Sequence, residues 1–148
     1  GSSVNLSTYK IELYGNGSST ATRNLDLSTL TNTILANGQV LVIYSASAND
    51  AIKNEGDFSS SVIFFNGDDA VGLLKNNVLI DVIGKIGEDP GTGWEVAGMP
   101  EATKNHTLIR KTSIIKGNID WNTSSGTNTT NSEWEVKNID DFSSIGNR

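Results

Sequence analysis

Residues 64–94 read FFNGDDAVGLLKNNVLIDVIGKIGEDPGTGW, and this stretch predicts a meander of antiparallel strands. The first strand is the β-branched and aromatic run from Val62 to Phe65, which begins just before the stretch. It stops at Asn66-Gly67, a pair that tolerates positive φ and favours a tight hairpin turn. We therefore expect the chain to return at once as a second strand, Ala70 to Leu74.

The second half of the same stretch predicts another turn and an anchored loop. Asn76-Asn77 ends the second strand, and Val78 to Ile83 follows as an apolar run interrupted only by Asp81. From Gly84 to Gly93 glycines and one proline permit conformations that a regular strand does not use. This loop lacks the Gly-Lys-Ser/Thr ending of a phosphate cradle and carries acidic residues, so we expect it to pack Trp94 against the sheet.

Composition restricts the classes of protein to which the chain belongs. The 148 residues are enough for one core, and none is cysteine, which excludes a disulfide framework, a thiolate zinc site and a cysteine nucleophile. The 11 basic and 17 acidic residues, a net charge of −6, oppose nonspecific attraction to nucleic acid or anionic lipid. No apolar run approaches the roughly 20 residues that span a bilayer.

Further strands are predicted along the rest of the chain. They are Thr8 to Tyr14, Ala21 to Leu27, Gln39 to Ser45, His106 to Lys111 and Glu133 to Lys137. Ala46 to Asn54 predicts at most one helical turn, and Asn122 to Ser132, almost entirely Asn, Ser, Thr and Gly, predicts a surface loop. About eight short strands without crossover helices predict one all-β domain over residues 1–148, an antiparallel β-sandwich with no parallel pairing.

The order of several segments resembles the bacterial lamin-tail domains, relatives of the immunoglobulin-like tail of nuclear lamins. The matching segments are LSTYKIE (6–12), LDL (25–27), GQVLVI (38–43), FNGDDAVGL (65–73), DVIG (81–84), HTLIRK (106–111) and Trp134. The resemblance implies an immunoglobulin-like sandwich appended to larger, often exported bacterial proteins, some of which carry nuclease domains elsewhere. We therefore expect the chain to be a fragment of a longer multidomain protein.

One departure from the family bears on assembly. Lamin-tail domains usually have another strand region before the Leu-Ser-x-Tyr segment, and here that region is missing. We therefore expect an incomplete sheet edge. Unpaired edges invite pairing with another chain, so the hypothesis is an intermolecular contact through Thr8 to Tyr14 or its neighbour.

Acidic residues are densest in and just after the meander. They are Asp68, Asp69, Asp81, Glu88 and Asp89. Oxygen ligands of this kind suit Ca²⁺ when about six to eight of them converge, although the spacing matches no EF-hand loop. Aspartates in turns usually accept hydrogen bonds from nearby backbone amides, which is the interpretation that we favour, with a Ca²⁺ site as the alternative.

His106 is the only histidine in the sequence. A serine hydrolase or a histidine-dependent nuclease within this chain would have to use it as the general base. The sequence identifies no partner for it, so we interpret His106 as an exposed or structural residue and predict no catalytic residue.

Aromatic and basic residues supply the remaining candidates for a binding surface. Trp94, Trp121 and Trp134 are the residues from which a platform for sugar rings or peptide side chains would be built, although tryptophan in a sandwich more often fills the core. Arg110 and Lys111 would meet an acidic partner, although charged pairs on an alternating strand are more often solvated. Burial decides between the two interpretations.

Three functional hypotheses follow. The first is a noncatalytic interaction or spacer module of an exported or cell-surface bacterial protein, with a protein or a neighbouring domain as partner and no cofactor. The second is an accessory part of a metal-dependent nuclease or phosphatase. The third is a carbohydrate-binding module that uses the tryptophans. The resemblance carries most of the first hypothesis, because a fold by itself does not determine function.

Overall fold

The computed structural model describes residues 1–147, which form mostly antiparallel β-sheets with few helices. The strands are β1 (Val4–Asn5), β2 (Tyr9–Tyr14), β3 (Arg23–Asp26), β4 (Ile34–Leu35), β5 (Ile43–Tyr44), β6 (Phe58–Ser59), β7 (Ala70–Lys75), β8 (Val78–Ile83), β9 (His106–Arg110) and β10 (Trp134–Ile139). The helices are α1 (Asp50–Asn54) and α2 (Trp121–Ser125), with 3₁₀ turns at Leu6–Thr8, Leu27–Thr29 and Ser61–Ile63. This architecture is compatible with the predicted all-β sandwich. Within residues 1–147, no helix has the length and apolar character needed to cross a membrane.

The largest sheet has the strand order β3-β2-β7-β8 and is antiparallel throughout. Its β7–β8 hairpin was predicted from the sequence and is confirmed. Asn76 and Asn77, at its tip, have φ of +50° and +61°, a pair of left-handed residues that matches the twist of the flanking strands. Asparagine tolerates this conformation better than most residues, which is why the turn is recognisable locally.

β2 is an inner strand of this sheet, so the predicted intermolecular contact through Thr8 to Tyr14 is wrong. Ile11 faces Leu25 of β3 on one side and Leu73 of β7 on the other. Both sides of the strand are thus paired within the chain, which leaves no free backbone edge at β2 for another molecule.

The hairpin predicted around Asn66-Gly67 is also wrong. Val62 is fully buried within the Ser61–Ile63 turn, while Phe64 and Phe65 are 62% and 49% exposed. The Ser60 hydroxyl accepts a hydrogen bond from the Val62 amide (3.2 Å), a local contact that competes with extended backbone. The chain still turns at Asn66, but β7 pairs with β2 and β8 instead of residues 62–65.

β5 and β6 form a parallel pair, contrary to the prediction of antiparallel pairing alone. Each strand has only two residues, so the five-residue helix α1, inside the predicted helical turn, is enough to cross between them. The Asp57 carboxylate accepts the Val42 N–H at 2.7 Å. This side chain takes the place of a backbone acceptor from a neighbouring strand. Of the strand predicted over Gln39 to Ser45, only Ile43–Tyr44 is present.

The apolar side chains divide between two clusters. One contains Leu6, Leu13, Leu25, Leu27, Leu30 and Val62. The other contains Tyr14, Ala70, Val82, Trp94, Val96, Ala102, Trp121 and Trp134. The Tyr14 hydroxyl donates to Glu12 Oε2 at 2.6 Å, and burial together with this carboxylate raises the pKa of Tyr14 to about 12. Tyr14 is therefore neutral near pH 7 and keeps its ring in the cluster.

The strands predicted over His106 to Lys111 and Glu133 to Lys137 are present as β9 and β10, and they pair antiparallel with each other. The surface loop predicted over Asn122 to Ser132 is partly wrong, because α2 occupies its start and Ser124 is completely buried. Asp120 begins the helix by accepting the amides of Asn122 and Thr123. Ser124 tolerates burial because its hydroxyl is hydrogen-bonded, accepting from Trp134 Nε1 at 2.9 Å.

Gly84 positions Trp94, which confirms the predicted role of the glycine-rich loop. Gly84 has φ of +80°, and a Cβ at this position would lie 2.6 Å from Trp94 Cζ3. The backbone amide of Trp94 donates to Thr103 Oγ1 at 2.8 Å, and this bond fixes the main chain that carries the indole ring. The indole is only 8% exposed as a result.

Replacing Gly84 by alanine should destabilise the domain by steric overlap with Trp94. Gly91 is the matched control, because it has φ of +85° but no atom within 4 Å of a built Cβ. We expect Gly84→Ala to cost about 1–3 kcal/mol more than Gly91→Ala, measured by urea unfolding followed through tryptophan fluorescence. Equal losses of stability in the two variants would mean that positive φ alone, and not contact with Trp94, requires glycine at position 84.

Candidate functional site

Arg110 lies at the centre of a partly buried polar network. Its Nη2 is 3.0 Å from Asp81 Oδ1, and its Nη1 is 3.6 Å from Glu133 Oε2. The guanidinium lies 4.3 Å from the centroid of the Trp134 ring, a cation–π contact. This side chain is only 18% exposed, so the residue predicted as a surface cation is turned inward.

Ser124 and Asn118 extend the network. The Ser124 hydroxyl donates to Glu133 Oε2 at 3.1 Å. The Asn118 amide N–H donates to Asp81 Oδ1, and its side-chain nitrogen donates to Glu133 Oε1, each at 2.9 Å. These bonds connect β8, α2, the start of β10 and the segment before α2, so they hold distant parts of the fold together.

The three tryptophans are buried together, which removes the predicted aromatic platform. Trp94, Trp121 and Trp134 are 8%, 4% and 7% exposed. Trp121 packs edge-on against Trp94, with ring centroids 6.5 Å apart, and tilted against Trp134 at 6.3 Å. Exposed rings are needed to stack on a sugar, so these tryptophans do not support the carbohydrate-binding hypothesis.

Lys111 also has an internal role. Its Nζ donates to the carbonyl oxygens of Thr129 and Ser132, at 2.6 and 2.5 Å. The ammonium group thereby closes the polar loop that precedes β10. The predicted binding surface of three tryptophans with Arg110 and Lys111 is therefore not an exposed surface.

The acidic residues predicted as one group are separated in the structure. Asp69 accepts the amides of Asn16 and Asn66, at 2.8 and 3.1 Å, as expected of a turn aspartate. Asp89 accepts the Gly91 amide at 2.7 Å, and Glu88 pairs with Lys85 at 3.2 Å. Over the described part of the chain, no three Asp, Glu or His residues form a group that could hold a metal ion.

Asp68 is the exception, because it does not satisfy the turn as predicted. It is 8% exposed, and its Oδ1 is sealed from solvent without a hydrogen-bond partner among residues 1–147. It lines a cleft of about 670 Å³ together with Lys104, His106 and Asp140. His106 Nδ1 donates to the Lys137 carbonyl at 2.9 Å, a structural contact of the kind predicted for this histidine.

A further surface was not predicted from the sequence. Ile80, Ile114, Ile115 and Ile119, here called the isoleucine surface, line a cleft of about 410 Å³. Ile115 is 85% exposed and Ile119 is 62% exposed. Single exposed apolar residues are ordinary, but neighbouring ones around a cleft are typical of contact sites.

The backbone that carries this surface is held in place although it has no regular secondary structure. Asn118 O accepts the Val82 amide at 3.2 Å, on the outer side of β8. Gly117 lies so close to β8 that a Cβ there would be 2.3 Å from the Ile80 carbonyl oxygen. Ile115 and Ile119 are thus presented from a segment fixed to the sheet. The signal in the sequence was Ile114-Ile115 and Ile119 within a polar segment that fits no strand or helix pattern.

The chain was compared with protein families, curated proteins and solved structures. No protein-family model, no curated protein and no solved structure matches this chain. The resemblance to lamin-tail domains therefore stays a prediction, and the site is interpreted from its own geometry.

Replacing Arg110 by glutamine should destabilise the fold, because it leaves Asp81 and Glu133 partly buried without their cation. We expect a loss of about 2–3 kcal/mol in urea unfolding. Lys137→Gln is the control, because Lys137 pairs with Glu135 (2.9 Å) on the exposed surface. That variant should leave the stability almost unchanged, because exposed ion pairs contribute little. Similar losses in both variants would contradict the central role of Arg110.

Replacing Asp68 by asparagine should stabilise the domain, because a nearly isosteric neutral group costs less to bury than a carboxylate whose Oδ1 has no hydrogen-bond partner among residues 1–147. We expect a gain of about 1–2 kcal/mol at pH 7, with Asp89→Asn as an exposed control close to zero. Thermal melting with and without millimolar CaCl₂ tests the alternative role of Asp68. A Ca²⁺-dependent rise in Tm that is lost in Asp68→Asn would support a calcium site instead, since a ligand of the native state raises stability.

Proposed function

We propose that this chain is a noncatalytic interaction module of an exported or cell-surface bacterial protein. The observation that carries the proposal is the isoleucine surface, where Ile115 and Ile119 are exposed on a segment fixed to β8. Each isoleucine that a partner covers contributes about 1.5–3 kcal/mol, so even this small surface can supply useful binding energy. A rigid segment also loses little conformational entropy on contact.

Four of the side chains able to perform chemistry support the noncatalytic part of the proposal, because their polar atoms bond within the fold. Arg110 forms ion pairs with Asp81 and Glu133, and His106 donates to a backbone carbonyl. The Nδ1 of His106 is thus oriented by a backbone carbonyl and not by the carboxylate that orients the histidine of a catalytic triad.

Resemblance supports the remaining parts of the proposal. We infer that the antiparallel sheets form an immunoglobulin-like sandwich of the lamin-tail type, appended to a larger protein and in contact with a neighbouring domain or another protein. The net charge of −6 and the long loops rich in Asn, Ser and Thr suit an exposed surface. The nuclease or phosphatase hypothesis would use the cleft at Asp68, which the calcium experiment tests.

Hydroxyl-radical footprinting of the natural protein on intact cells, compared with the purified chain, tests the proposal. We expect oxidation of Ile115 and Ile119 to fall about fivefold or more on cells, because a partner excludes water from them. Val78 is the internal control, since it is 64% exposed and lies at the other end of β8. Its oxidation should not change.

Equal oxidation of Ile115 and Ile119 in the two preparations would contradict an interaction at this surface. Hydrolysis of DNA or of p-nitrophenyl phosphate by the purified chain with Mg²⁺, Mn²⁺ or Ca²⁺, abolished in Asp68→Asn, would contradict the noncatalytic assignment.

A further inference from the structure

β9 is paired on one side only. The Lys111 amide donates to the Glu133 carbonyl at 2.8 Å, and Ile109 faces Glu135. Backbone groups of an antiparallel strand point to alternate sides, so those of Leu108 and Arg110 point away from β10. Among residues 1–147, no backbone hydrogen bond from another segment reaches these two residues.

A groove of about 590 Å³ runs along this unpaired side. Thr107 to Thr112 form one continuous part of its lining, and the rest comes from Val40, Ile114 and residues 144–147. The outer side of β8 differs, because Asn118 already accepts a hydrogen bond from Val82 there. The edge of β9 is thus flanked by other segments of the chain, and no backbone hydrogen bond from them reaches Leu108 or Arg110 among residues 1–147.

The unpaired groups specify the kind of occupant. Donors and acceptors that recur at every second residue, roughly 7 Å apart, match an extended chain and not a helix. Lining from other parts of the molecule encloses the groove, which favours a single extended segment over the edge of a second folded copy. Val40, Ile114 and Ile145 suit apolar side chains at alternate positions of that segment.

We propose that the groove beside β9 binds an extended peptide segment, with apolar residues at alternate positions, which adds a strand to the β9–β10 sheet. The inference rests on the proposed interaction function and names a partner chemistry and a second contact site for it. The isoleucine surface and this groove share Ile114, so the two sites are adjacent.

A titration of the ¹⁵N-labelled chain with the peptide acetyl-KVTVTVK-amide tests the inference. We expect shifts centred on Leu108 and Arg110, and amide exchange at these residues about tenfold slower at saturation. Two N-methylated versions of the peptide are matched controls, each methylated at every second backbone nitrogen, in one or the other register. Methylation of the nitrogens that face β9 should weaken binding by about tenfold, because it removes the donors to the strand, whereas methylation of the other nitrogens should not.

Equal affinity of both methylated peptides and the parent would overturn strand addition and leave only apolar contact. Absence of binding at millimolar peptide, or shifts centred elsewhere, would overturn it as well.

Ile145→Lys should weaken binding about fivefold, because it replaces an apolar residue of the groove by a charged one. Val78→Lys, outside the groove, should leave the affinity unchanged. Unchanged affinity in Ile145→Lys would contradict the groove. Failure here leaves the footprinting result at Ile115 and Ile119 unaffected, so the two proposals fail separately.

Discussion

The contact of the Arg110 guanidinium with Asp81, Glu133 and the Trp134 ring joins parts of the chain that are distant in sequence. Asp81 belongs to β8 of the four-stranded sheet, whereas Glu133 and Trp134 begin the strand that pairs with β9. Removal of the cation would leave two partly buried carboxylates close together, an arrangement that low dielectric penalises. The relation between the two sheets therefore depends on this residue.

The same constraint arranges the surfaces to which we assign function. Asp81 also accepts the Asn118 amide, so the network that holds the fold draws the segment before α2 onto β8 and leaves Ile115 and Ile119 outside. Arg110 directs its side chain into the network, while its backbone lines the groove beside β9. Asp81 and Arg110, which were candidates for chemistry, thus position the surfaces for contact.

Local preferences explain what was predictable. The Asn76-Asn77 turn depends on the tolerance of asparagine for positive φ, and β9 and β10 follow from alternation of apolar residues. Predictions failed where a side chain bonds to nearby backbone. Ser60 turns residues 61–63 away from strand geometry, and Asp57 replaces a ladder bond of Val42. Such competition depends on where the chain already lies, so the pattern of residue types does not reveal it.

The sequence by itself determined the all-β class, the β7–β8 hairpin and the packing of the loop at Gly84 against Trp94, because each depends on neighbouring residues and their allowed φ. Only the tertiary structure decided that β2 is an inner strand, that Ser124 is buried and that the acidic residues lie apart. It also decided which apolar residues of the candidate site are exposed. Exposure is a property of contacts between segments far apart in the chain, and residue type alone does not specify those contacts.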